Sequence, residues 1–355
     1  MKKVLRTIFL GLVLLLGYLF FWPVTDEPFA WQPPEAPDYA GDYAQNNQLQ
    51  QAEIYSTLPL GKGPEDIAVD SNGYIYGGLD DGKILRYKNP DAEAEIFADT
   101  KGRPLGLHYD SLHNLIVADA HKGLLSINGE GEIKVLTDGF EGKSFRFADD
   151  LDIGSDGKIY FSDASTIAST ENYKHDIMVH GGLGALYVYD PADGSTTQLL
   201  DSLYFANGIA LSPDQSFVLI NETTKYRVLR HWLTGPRKGK TEVFIDNLPG
   251  FPDGISSNGT GIFWLALANP RNDLLDQLLP HPFLRKVVMR LPDALRPQPV
   301  RYGFVFGLDM DGKVVYNYQD PAGGFAPVTS IQEEDGWLYL GSLSDPAWAR
   351  IQAPE

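Results

Sequence analysis

The sequence predicts an all-β fold, a six-bladed β-propeller of four-stranded blades behind an N-terminal membrane helix. Three observations predict it. Thirty-six Gly and 24 Pro stand among 18 Tyr and 18 Phe in 355 residues, a mixture of turn formers and strand formers. One hairpin pattern recurs six times at intervals of roughly fifty residues, the length of a propeller blade. A basic start followed by an unbroken apolar run fills residues 1–22.

The overall balance narrows function. Apolar residues make up 43% and charged residues 21%, ordinary for a chain that buries a core. Net charge is −18, and removing Lys2, Lys3 and Arg6 leaves −21 on the rest. That excludes nucleic acid as a partner, since its binding needs basic patches. It suits a protein that handles cations or neutral substrates. The chain has no Cys, which excludes disulfides, thiol chemistry and Cys-ligated zinc, and permits an oxidising compartment.

The elements follow in order. Lys2, Lys3 and Arg6 precede an apolar run from Thr7 to Trp22, at the short end of what a bilayer requires. It ends in Tyr18, Phe20, Phe21 and Trp22, side chains that suit a membrane interface. Ala30, beside bulky Phe29, is a poor cleavage site. Residues 1–24 are therefore expected to be an uncleaved signal anchor, a cleaved, secreted form being the alternative. The basic start places the following chain on the extracytoplasmic side. Residues 25–48 carry Pro28, Pro33, Pro34 and Pro37 among Asp, Glu, Gln and Asn, and read as a semi-extended, unpacked linker.

Residues 49–355 form the propeller. Each unit starts on an apolar residue, alternates, turns at Gly or Asp, and continues into an aromatic or β-branched strand. Ile67-Ala68-Val69-Asp70-Ser71-Asn72-Gly73-Tyr74-Ile75-Tyr76 and Leu151-Asp152-Ile153-Gly154-Ser155-Asp156-Gly157-Lys158-Ile159-Tyr160 show it. Equivalent units begin at Leu107, Ile209, Ile255 and Ile331. Two further strands follow four of the hairpins, at 82–87 with 94–97, 123–127 with 133–136, 185–189 with 197–200, and 226–232 with 242–245. The last unit runs out after Ile351, so Ala52-Glu53-Ile54-Tyr55 is expected to supply its outer strand and close the ring. Residues 270–299 break the pattern with helical spacing and a basic face of Arg285, Lys286, Arg290 and Arg296. They read as an insertion in the fifth blade: a cap over the ring, a substrate lid, or a contact with anionic lipid.

Two positions before the six aligned apolar residues stand Glu65, Leu105, Asp149, Asn207, Asp253 and Thr329. Equivalent inner-strand entrances ring the channel, so Glu65, Asp149, Asn207 and Asp253 should converge at one mouth. Confined carboxylates repel unless neutralised. Four oxygen donors without His or Cys match Ca²⁺ rather than Zn²⁺; a merely wet channel mouth is the alternative. Asp66 and Asp150, one residue later, support the site or replace a ligand. No Gly-x-Ser-x-Gly elbow supports a serine triad. Asn221-Glu222-Thr223 and Asn258-Gly259-Thr260 are glycosylation sequons.

The segments Gly63-Pro64-Glu65-Asp66, Val117-Ala118-Asp119-Ala120-His121, Phe147-Ala148-Asp149-Asp150-Leu151, Phe205-Ala206-Asn207-Gly208 and Leu248-Pro249-Gly250-Phe251-Pro252-Asp253 resemble the strictosidine synthase-like family. The likeness is to its membrane-anchored branch, that of the adipocyte plasma membrane-associated proteins, within the superfamily of gluconolactonases and paraoxonases. The resemblance implies a six-bladed propeller with Ca²⁺ in the channel and hydrolysis of esters, lactones or phosphotriesters. It implies calcium ligands at Glu65, Asn207 and Asp253, and at Asp149 where the family has Asn. The glutamate of true strictosidine synthases is absent from Phe325-Ala326-Pro327-Val328-Thr329-Ser330, which argues against amine condensation.

The expected activity is thus that of a Ca²⁺-dependent arylesterase or lactonase acting on a small-molecule ester, with Asp253 as first and Glu65 as second choice of catalytic carboxylate. A non-catalytic propeller with structural calcium is the alternative. His121 is a candidate proton shuttle or a solvated loop residue. His175 and His180 bracket a third-blade loop that reads as a flap or a plain surface loop. Tyr173, Phe205, Phe251 and Trp264 are candidates for an apolar rim.

Overall fold

A computed structural model describes residues 1–354. Six four-stranded antiparallel sheets stand around one axis. The first strands of the blades are Ile67–Val69, Pro104–Tyr109, Ala148–Ile153, Ala206–Leu211, Gly250–Ser257 and Ser330–Glu334, and each touches the next around a closed ring.

Alternation along the strands builds the cores between blades. In the fully buried strand Leu115–Asp119, Ile116 and Ala118 pack against the third blade, while Leu115 and Val117 pack against the first. In Phe263–Pro270, Phe263 and Leu265 face the fourth blade, and Trp264 and Ala266 face the sixth. Trp264 is therefore buried between blades rather than on a rim, because its place in the alternation points it sideways.

The sixth blade closes as the sequence predicts. Glu53–Ser56 is its outer strand, with Glu53 opposite Arg350 and Tyr55 opposite Trp348. Arg350 Nε donates to Glu53 at 2.8 Å, and the Tyr55 and Trp348 rings stack at 4.4 Å. N-terminal and C-terminal chain thus share one sheet, leaving that blade edge paired.

Among the described residues, four α-helices accompany the ring. Helix α1, Lys2–Phe21, is long and apolar enough to cross a membrane by length and composition, and none of it is buried. Helix α2, Lys174–Val179, lies in the third blade between Ile159–Asp163 and Gly184–Asp190. Helices α3, Asp273–Leu278, and α4, Pro282–Met289, form the insertion between the second and third strands of the fifth blade. Met178 of α2 joins Leu275 and Leu279 in one small core, so flap and insertion form one cap.

The segment after α1 is packed, unlike the free linker its polar and proline-rich composition predicts. Phe29 N–H donates to Val179 O at 2.9 Å and Trp31 N–H to Leu279 O at 3.1 Å. Trp31 stacks on His180 at 4.7 Å, and Lys225 Nζ lies 4.3 Å above the Trp31 ring. Arg285, fully buried, donates to Met178 O at 2.9 Å and to Phe29 O. Its guanidinium pins this strap, α2 and α4 together through backbone carbonyls. The aromatic residues spaced through the strap, with Tyr43 against Phe306 and Leu49 in the core, outweigh its composition.

Candidate functional site

The site rests on a recurring backbone irregularity. In four inner strands the pairing register shifts where the candidate residues lie: between Pro104 and Leu107, Ala148 and Leu151, Ala206 and Ile209, and Pro252 and Ile255. Such bulges re-aim side chains out of the regular alternation. Leu105, Asp149, Asn207 and Asp253 on these bulges, with Glu65 and Thr329 just ahead of the first strands of the other two blades, line one cavity of about 420 Å³ at the mouth of the channel.

The residue after each has a separate job. In three blades it is glycine. A Cβ on Gly208 would strike the backbone carbonyl of Asp253, and one on Gly254 would lie 2.6 Å from Thr329 O. Each glycine lets the next blade's site residue approach the axis. In two other blades it is aspartate. Asp66 Oδ2 accepts from Leu107 N–H at 2.9 Å, and Asp150 Oδ2 from Ile209 N–H at 2.8 Å. These two carboxylates clamp neighbouring blades and line a separate, smaller void of about 60 Å³ below the site. Gly208→Ala should displace Asp253 and cost on the order of 1–3 kcal/mol through overpacking. Thermal unfolding checks it; an unchanged melting temperature would contradict the role given to the glycine.

A second repeated device holds the approach to the bulges. Carboxylates ending the second strands accept from the loops before the first: Asp119 from Arg103 N–H at 3.0 Å, Asp163 from Phe147 N–H at 2.7 Å, and Glu222 from Tyr204 N–H at 3.0 Å. Asn221 Nδ2 donates to Asp253 O, and Thr223 Oγ1 donates to Pro252 O at 2.7 Å. The sequence marks Asn221 as part of a sequon and, within Asn221-Glu222-Thr223-Thr224, of a segment that resembles the family, without a role of its own. It is in fact a buried positioning residue, and its place at the end of a second strand is the signal that would have found it.

Glu65, Asp149, Asn207 and Asp253 are all buried to 9% exposure or less. Burial pushes Glu65 well above the usual carboxylate range, and Asp149 and Asp253 add repulsion. Burial raises Asp149 in the same way, with Asp253 and Asp150 adding to it. Asp253 is pushed up to about 7 by burial, against the pull of a hydrogen bond from Asn207 Nδ2. Asp149 Oδ2 is buried without a hydrogen-bond partner. Arg103, buried nearby, donates to the carbonyls of Gly63 at 2.9 Å and Leu343 at 3.4 Å rather than to these carboxylates.

No three His, Asp or Glu side chains among the described residues stand close enough to form a ready-made metal cage. The donor set nevertheless fits a hard cation. It holds three buried carboxylates, one with an orphaned oxygen, and an amide that can present either its nitrogen or its oxygen.

Tyr173, Phe205 and Phe251 line the cavity, as do His175, Ile177 and Met178 from the flap. His121 does not. Its Nε2 lies 3.4 Å from Thr170 Oγ1 and 3.4 Å from Glu171, and Thr170 itself lines the cavity. His180 is also outside the cavity, wedged between Trp31 and Tyr204, where burial pushes it down to about 3.

Family models for strictosidine synthase and for the strictosidine synthase-like N-terminal region match residues 149–236 and 41–87. The adipocyte plasma membrane-associated protein of Salmo salar is 34% identical over 363 residues, covering 96% of this chain and 86% of its own. A gluconolactonase from Xanthomonas campestris superposes with a TM-score of 0.62 at 17% identity, covering 94% of this chain and 99% of its own. Regucalcin from Agrobacterium tumefaciens, a calcium-binding protein, does so with a TM-score of 0.61 at 15% identity, covering 84% and 92%. The two structures share the fold, while the sequence relationship carries the assignment: this chain belongs to the strictosidine synthase-like family, in the branch of the adipocyte plasma membrane-associated proteins.

Proposed function

We propose that the chain is a Ca²⁺-dependent hydrolase of esters or lactones, tethered to a membrane by α1 with its propeller on the extracytoplasmic side. The observation that carries this reading is the set of buried, mutually repelling carboxylates at the cavity floor, which no salt bridge neutralises: Arg103 acts on Glu65 and Asp149 only through space, its own hydrogen bonds going to backbone carbonyls. Glu65, Asp149, Asn207 and Asp253 would hold the ion, Asn207 by turning its amide oxygen inward. Bound there, Ca²⁺ supplies a Lewis acid for a carbonyl oxygen.

The chain's own residues supply the rest. Tyr173, Phe205 and Phe251 offer an apolar wall for an aryl or acyl group and exclude water from it. The Asp253 carboxylate is the general base: it takes a proton from water as the water oxygen bonds to the acyl carbon, and that proton passes to the departing alkoxide. Asn221 and Thr223 fix the Asp253 backbone for that role. His121 is not among the cavity-lining residues and is assigned no step here. Strictosidine-type condensation is disfavoured because the sixth blade contributes Pro327, Thr329 and Leu343 to the cavity wall, none of them a base.

A second reading is a ligand-binding propeller without turnover. The Asn207–Asp253 hydrogen bond, which joins two floor residues directly, favours it. Phenyl acetate and lactone turnover, with and without EGTA, separates the two. Activity that chelator abolishes while the protein stays folded is the expected result. Absence of turnover on every ester and lactone, with thermal stabilisation by Ca²⁺ alone, would favour the second.

A further inference from the structure

The cavity above the floor continues to the membrane helix. Tyr18 and Trp22 at the end of α1, and Pro23, Val24 and Thr25 after it, line the same cavity as Glu65 and Asp253. The helix end is fastened there: Phe20 stacks on Phe283 of α4 at 5.9 Å, and Arg290 Nη1 donates to Leu19 O at 2.7 Å. Phe283 and Leu284 leave about half their surface exposed beside α1, at 52% and 46%. Side chains of this kind continue the apolar surface of a spanning helix into the interfacial layer.

Charge marks the same wall. Arg271 and Lys174 in the cavity wall answer Asp276 at 2.8 Å and Asp293 at 3.6 Å. Arg290 and Arg296 line it too, but donate only to backbone carbonyls, those of Leu19, Leu291 and Met289. Arg290 Nε is buried without a partner. Two guanidiniums without carboxylates, between an apolar helix end and an apolar wall, are prepared for an anion.

We propose that the cavity is loaded sideways from the membrane surface and takes a single-chain anionic amphiphile, whose charged group meets Arg290 and Arg296. This deepens the proposed function by naming the class of molecule the cavity would admit, and it rests on α1 spanning a bilayer. The acidic floor alone would repel such a molecule, so the arginine pair at the membrane end is what admits it.

The test is photolabelling of the full chain in phosphatidylcholine vesicles containing EGTA, with cross-links located by mass spectrometry. The probes are a diazirine-bearing long-chain fatty acid and the corresponding neutral alcohol. The acid should label the walls at Met178, Phe251 and Met289 several-fold more than the alcohol, and excess unlabelled acid should abolish that labelling. R290Q/R296Q should bring the acid down to the level of the alcohol, while R290K/R296K keeps most of it. Labels confined to residues 2–21, or acid and alcohol labelling the walls alike, would overturn the proposal. The competition arm needs no variant, so it decides even if the glutamine variant folds poorly. No arm depends on turnover or bound metal, so failure of the hydrolase reading would leave this result standing.

Discussion

Asp253→Asn should lower kcat on phenyl acetate or a lactone by on the order of 10²–10⁴-fold at saturating Ca²⁺, the range for removal of a general base. The substitution is nearly isosteric, and an asparagine there still offers an oxygen to Asn207 Nδ2, so the fold should survive. The residue sits on a bulge, is 9% exposed, and its backbone carbonyl is held by Asn221. Little else can move into its place. Weaker calcium binding is expected as well, so activity must be compared at metal concentrations that saturate both proteins. A kcat within a few-fold of the wild type under those conditions would remove Asp253 from the chemistry and leave it as a ligand alone.

Metal-free protein should lose stability as pH rises from about 4 to about 7, and Ca²⁺ should restore it. Asp253 starts from an ordinary value of 3.8 and is raised to about 7 in the folded chain, with Glu65 and Asp149 moved in the same direction. Between those values the folded state binds more protons than the unfolded state, so stability falls with rising pH. For Asp253 alone the fall amounts to roughly 4 kcal/mol. A bound cation reverses the sign, since the ionised form is then the one the fold prefers. Calcium at a hundredfold excess over its dissociation constant adds about 2.7 kcal/mol. Melting temperatures at pH 5 and pH 8 should therefore show a small calcium shift at the lower pH and a shift of several degrees at the higher. Equal shifts at both would mean that calcium binds elsewhere.

Much of this was legible in the sequence because the blade repeats. Period-two alternation and turn chemistry identify the hairpins, and the hairpins align Glu65, Asp149, Asn207 and Asp253 without coordinates. The closing strand at 53–56 is legible for the same reason, since a ring needs an outer strand that the last unit lacks. The bulges are not, because a register shift leaves no periodic trace, and they explain why Asp149 faces the cavity while Asp150 turns down to hold the next blade. Residues outside the repeat were also opaque. Nothing local shows that the strap is packed: Trp31 meets His180 and Arg285 meets Phe29 across 149 and 256 residues of sequence. His121 follows a repeat strand yet does not line the cavity, and meets Thr170 and Glu171 of the next blade instead. Trp264 is a rim candidate by composition, and its packing with Ile331, Leu338 and Leu340 of the sixth blade settles it as core.

Isothermal titration of the chelator-treated full chain with Ca²⁺ is the most direct test of the floor as a cation site, run beside Asp149→Ala, which removes the orphaned oxygen. Binding with a floor-derived component, lost in the variant while its β-structure is kept, is the expected result. Absence of binding in the wild type, or undiminished binding in the variant, would contradict the account.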